Sequence, residues 1–144
     1  MAMMGMFTDG TSALRYALAG HAGLTLVSRK TGIRFTYKIN GSDDGNVWFV
    51  RVLTGPNNEE DYTYLGTIFK NSLRYFHGKK SPISEGAASA KAFAWAWPFI
   101  ASQQLPPSAE VWHDGRCGRC GRLLTVPESV ASGIGPVCAE KEGW

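Results

Sequence analysis

The chain has little of what usually betrays an enzyme, a secreted protein or a membrane protein. Its three cysteines are an odd number and too few for a disulfide framework, which points to a reducing compartment. No run reaches the ~18 apolar residues that a membrane span needs. The apolar start, Met1 to Phe7, lacks a basic lead and meets Thr8-Asp9-Gly10 too soon to act as a signal peptide. A cytoplasmic setting without membrane contact is therefore expected. Also missing are Gly-x-Ser-x-Gly, a phosphate-binding glycine loop followed by Lys-Ser/Thr, and a His-x-Glu with Pro-Cys-x2-Cys. No carboxylate pair stands beside a histidine in local sequence, which leaves catalysis only to scattered residues. The expectation is a protein that is not an enzyme.

What is there fits one core with a small appendage: 144 residues, 44% of them hydrophobic. The net charge of +3 is modest but unevenly placed. Acids gather at Asp43, Asp44, Glu59, Glu60 and Asp61, with Arg51 the one base among them, and bases dominate before and after. Such a block could face a basic nucleic-acid channel, although a solvated loop explains it as well.

Period-2 alternation over residues 24–28 and 33–39, joined by Lys30-Thr31-Gly32, predicts a hairpin. Its second strand places Ile33, Phe35, Tyr37 and Ile39 on a buried face, and Arg34, Thr36 and Lys38 on a wet one. Residues 47–53 predict a third strand buried on much of both faces, 62–69 a fourth, and 73–77 a short fifth. A short helix capped by Thr8 or Asp9 precedes them. A tryptophan-rich helix follows from about Ala87 to Gln103, with Pro98 as a kink or break. The fold class expected is α+β: an antiparallel sheet of four to five strands packed by that helix over residues 1–105, then a zinc-binding module over 106–144.

The module rests on Cys117-Gly-Arg-Cys120-Gly, a Cys-x2-Cys pair whose glycines allow a tight turn that converges two sulfurs on one ion. Cys138 supplies a third sulfur. His113 is the nearest fourth donor, giving a Cys3His set for structural zinc; His21, His77 and Asp114 are the other candidates. A redox use of Cys-x2-Cys would call for a βαβ setting that is not visible here. Four ligands fill a tetrahedral ion and leave no open position for hydrolytic water.

The stretch Cys117-Gly-Arg-Cys-Gly-Arg-Leu-Leu-Thr-Val-Pro-Glu-Ser129, with Gly133-Ile-Gly-Pro-Val-Cys138, resembles a small cysteine-knuckle (zinc-ribbon-like) family of unknown function in bacteriophage and bacterial proteins. The upstream segments Phe49 to Pro56 and Asp61 to Gly66 also resemble phage-borne proteins with such a tail. The resemblance implies a phage or prophage setting and a metal-binding tail, and carries no activity with it.

Two kinds of partner fit. The first is a host protein or nucleoprotein machine, a defence complex such as CRISPR among them, gripped by exposed tryptophan or arginine; Trp112 and Trp144 flank the module. The second is nucleic acid, met by Arg116, Arg119 and Arg122 around the knuckle, or by Tyr62, Tyr64, Tyr75 and Phe76 near Lys70, Arg74, Lys79 and Lys80. Many of those aromatics could equally be the core face of strands.

Overall fold

A computed structural model describes residues 5–57, 60–121 and 132–134. The chain opens with a two-residue strand, β1 (Gly5–Met6), and a helix, α1 (Gly10–Ala17). The helix starts where it does because the Asp9 carboxylate accepts the Ser12 N–H at 2.8 Å, satisfying a donor that has no partner within the helix. Five strands follow: β2 (His21–Ser28), β3 (Arg34–Gly41), β4 (Val47–Leu53), β5 (Tyr62–Phe69) and β6 (Tyr75–His77). Helix α2 (Ala88–Ala101) then returns the chain to β7 (Ala109–His113).

All pairings are antiparallel, in the order β1-β7-β2-β3-β4-β5-β6. The α+β class holds, but the sheet has seven strands among the described residues rather than four or five. The additions are β1 and β7, which form against the far edge of β2, a pairing that local periodicity cannot reveal. Through β7, residues assigned from sequence to the start of a zinc module enter the sheet beside β2.

The two faces of the sheet differ. Ala22, Leu24, Leu26, Tyr37, Ile39, Val50, Val52 and Ile68 are buried on one, under both described helices. The Phe93 ring of α2 meets Tyr37 at 5.0 Å and Tyr75 at 4.9 Å, and stacks on Trp97 at 5.7 Å. Three polar tips on this side are answered: the Tyr37 hydroxyl donates to Ser89 O at 2.7 Å, the Trp97 indole to Leu73 O at 2.7 Å and the Trp48 indole to Leu18 O at 3.1 Å. Burial pushes the Tyr37 phenol far above its ordinary range. The opposite face of β4 is not buried as the sequence suggested, since Phe49 is 39% exposed and Arg51 is exposed.

Pro98 does not break α2. It lies on the exposed side of the helix, as does Ala94, whose carbonyl loses its intrahelical donor to the proline and is left facing water.

Candidate functional site: a cysteine turn seated on Tyr16

Helix α1 projects Tyr16 into the core, where its ring packs 5.4 Å from Phe7 and 5.6 Å from His113, and those two rings lie 5.4 Å apart. The Tyr16 hydroxyl accepts the Gly23 N–H at 2.8 Å and lies 3.0 Å from Gly23 O and 3.2 Å from Asp114 Oδ1, the two acceptors open to its proton. Burial, and then the Asp114 charge, hold this phenol well above its ordinary value.

Two glycines from different parts of the C-terminal segment lie against this ring. A Cβ on Gly118 would fall 2.6 Å from Tyr16 Cδ1, and one on Gly133 2.5 Å from the same atom. The two glycines are joined by the Gly118 N–H donating to Gly133 O at 2.8 Å, and the His21 N–H donates to Gly118 O at 2.6 Å. Only residues without a side chain permit this approach.

The turn from Cys117 to Gly121 has the backbone of a cysteine knuckle. Arg119 N–H donates to Cys117 Sγ at 3.4 Å, Gly121 N–H donates to Cys117 O at 2.8 Å, and Gly121 takes φ +78°. An amide aimed at sulfur stabilises a thiolate, the form that binds metal. Cys117 is buried and Cys120 exposed, and no disulfide joins the two. The Arg116 guanidinium folds back to donate to Gly121 O at 3.2 Å, and the Arg116 backbone N–H donates to Asp114 Oδ1 at 3.1 Å.

The residues singled out from sequence thus have varied placements. Cys117 and Cys120 share one turn, with Arg116 and Arg119 on it. His113 is buried between Phe7 and Tyr16, and its Nδ1 accepts the Gly115 N–H at 3.0 Å. His21 is exposed at the start of β2, and His77 lies on β6 at the other edge of the sheet, bonded through Nε2 to Ile83 O at 2.8 Å. Among the described residues, no three His, Cys, Asp or Glu side chains gather as a metal-holding group. Cys138, Arg122 and Trp144 lie outside the described residues. Trp112 is half-buried on the outer sheet face, its indole donating to Glu110 at 3.1 Å.

Sequence reasoning did not single out Tyr16 or Phe7, since nothing local ties either to the cysteine turn. It also missed an apolar cleft of about 570 Å³ between α2 and the β2–β3 hairpin, lined by Leu26, Ile33, Phe35, Ala92, Trp95 and Ala96 among others. Trp95 is 47% exposed and Ile33 56%. The cysteine turn bonds to the first residue of β2 and the cleft adjoins its last, roughly 23 Å along an extended strand.

A family described only as a family of unknown function (DUF6011) matches residues 108–143, about a quarter of the chain. The span contains β7, the cysteine turn, all three cysteines and His113. No curated protein and no solved structure matches the chain.

The donor set and the turn are compatible with zinc. Two thiols stand on one tight turn with an amide directed at one sulfur, and the sequence supplies Cys138 as a third. Among the described residues no helix is long and apolar enough to cross a membrane.

Proposed function

We propose that this chain is a non-catalytic phage accessory protein that occupies a host protein or nucleoprotein machine, a defence complex such as CRISPR among them, and that a structural zinc ion closes its C-terminal knuckle. Cys117, Cys120 and Cys138 would hold the ion, with His113 as fourth ligand. Bound zinc would act as a cross-link within the C-terminal segment.

The observation that carries the partner reading is the cleft. It has the size of a recognition pocket, and it pairs an exposed indole with an exposed isoleucine, the kind of anchor that dominates protein interfaces. Lys30 is the one charged residue lining it, which suits an apolar partner segment that carries an acid. The Arg-rich knuckle is a weaker docking candidate, because the Arg116 guanidinium is engaged with the turn itself.

The test is a photo-crosslinking amino acid placed at Trp95, used in lysate of the phage's host. A crosslink to one host polypeptide that wild-type protein competes away, and that Ile33→Asp protein does not, is the expected result. Crosslinks that neither protein competes would contradict it.

A further inference from the structure

The outer face of β4, β5 and β6 carries a second chemistry, distinct from both cleft and knuckle. Phe49, Phe69 and Phe76 are 39%, 40% and 47% exposed, unusual for residues that ordinarily bury. The register sets Phe49 opposite Thr67, and Thr67 opposite Phe76. Two phenyl rings therefore stand two strand spacings apart, roughly 9.5 Å, with a small residue between them. Phe69 closes the group edge-on to Phe76 at 5.6 Å.

Cations are interleaved with these rings. Arg51 is exposed on the same face, two residues from Phe49. Lys38, opposite Arg51, sets its ammonium 4.4 Å from the Tyr62 ring centroid, and the Arg74 guanidinium lies 5.5 Å from that of Phe76. Lys70 is exposed immediately after Phe69. Strands β2 to β6 contain no aspartate or glutamate. The acids on this face among the described residues, Glu110 and Asp114, are engaged, Glu110 with Arg29 at 3.5 Å and with Trp112, Asp114 with Tyr16 and the Arg116 backbone N–H. After burial, the Asp114 charge helps raise the Tyr62 phenol, so this carboxylate borders the Lys38 end of the face.

Flat rings spaced across an antiparallel sheet, with guanidinium and ammonium groups between them, match the two repeating features of a single-stranded nucleic acid: unpaired bases that stack and phosphates that carry charge. We infer that the outer face of β4–β6 binds single-stranded nucleic acid, with bases stacking on Phe49 and Phe76, and with Lys38, Arg51 and Arg74 meeting phosphates. A purely apolar protein partner would have no use for the cations. A duplex would hide its bases from the rings.

The inference is independent of the cleft and of zinc, and its test separates it from both. Fluorescence anisotropy is measured with labelled oligo-dT and oligo-U of about 20 nucleotides, a duplex of equal length, and polyglutamate as a polyanion without bases. Binding of a single strand is expected, stronger than of duplex or polyglutamate, and the relative strength of the two oligomers tells DNA from RNA. Phe49→Ala and Phe76→Ala should each weaken it by about 5- to 100-fold. Three phosphate contacts should give a log–log salt slope of about −2. Lys91→Ala, on exposed α2, should leave it unchanged. All of these residues are exposed, so circular dichroism and melting should match wild type and rule out misfolding. No single-strand binding at low salt would overturn the inference, as would affinity indifferent to both phenylalanine changes. Equal capture of polyglutamate would overturn it in favour of an acidic protein. Loss on the combined Arg116→Ala, Arg119→Ala, Arg122→Ala change, with the phenylalanine variants intact, would move the contact to the knuckle.

Discussion

Around Trp97, the indole stacks on Phe93, its N–H reaches the Leu73 carbonyl, and the side chain is 1% exposed. Around Cys117, the neighbours are Gly115, Gly118, Gly121 and Gly133, and among the described residues beyond His113 only Cys117 and Ile134 join the core with an apolar side chain. The sheet-and-helix body is held by buried area, which is large and non-directional. The turn is held by a few backbone hydrogen bonds and by glycines lying on one tyrosine ring. The contrast teaches where a metal cross-link would matter, since a body with its own core needs none and a turn held by a few backbone hydrogen bonds gains most from one.

The largest effect should come from breaking the body. Trp97→Ala removes the stack and opens a cavity, and should cost about 3–5 kcal/mol in urea denaturation. The joint between the regions should be next. Gly118→Ala puts a methyl group into the Tyr16 ring, so turn or ring must shift, at roughly 1–3 kcal/mol in the same assay. Tyr16→Phe tests the other side of the joint. It leaves the ring contacts and deprives the Gly23 N–H of its acceptor, and a loss of about 1–3 kcal/mol is expected.

The body also predicts a response to alkali. The Tyr16 and Tyr37 phenols have folded-state pKa values raised above the ordinary 10.0, with burial the leading cause. The unfolded chain therefore releases these protons first as pH rises. Their contribution is complete below about pH 10 and is lost progressively above it. A urea midpoint flat from pH 7 to 9 and falling beyond 10 is the expected profile, and Tyr37→Phe should flatten the fall.

The smallest effect sharpens the picture of the core. The Tyr75 hydroxyl is buried without a hydrogen-bond partner among the described residues, so Tyr75→Phe should be neutral or stabilise by up to about 1 kcal/mol in thermal melting. A clear loss would mean that the hydroxyl has a partner.

Much of this body was legible in sequence. The segments read as the third and fourth strands, 47–53 and 62–69, are β4 and β5 to the residue, and the period-2 alternation over 33–39 marks β3, because a strand wet on one face writes its period locally. Tyr37 and Ile39 are buried as that period requires, whereas Ile33 falls just before β3 and lines the cleft instead. Strands β1 and β7 were not legible, since two and five residues carry too little pattern and become strands only through pairing distant in sequence. Of the site, the Cys-x2-Cys turn was readable because glycine spacing encodes its backbone. The role of Tyr16 was not, because nothing local links it to glycines about 100 residues away. Of the outer phenylalanines, Phe76 stood among the aromatics named beside Lys70 and Arg74, whereas Phe49 and Phe69 were hidden, because apolarity alone says nothing about which side of a sheet the helices cover.

Metal content tests the account's central claim most directly. Elemental analysis of untagged protein, purified without chelators, should find one zinc per chain, with the metal lost in Cys117→Ser and reduced in His113→Ala. Loss in the first variant with full retention in the second would keep the knuckle and pass the fourth position to another donor. Folded wild-type protein without metal, its Cys117 and Cys120 thiols both reacting freely, would contradict the structural zinc site and open a redox reading of the Cys-x2-Cys turn.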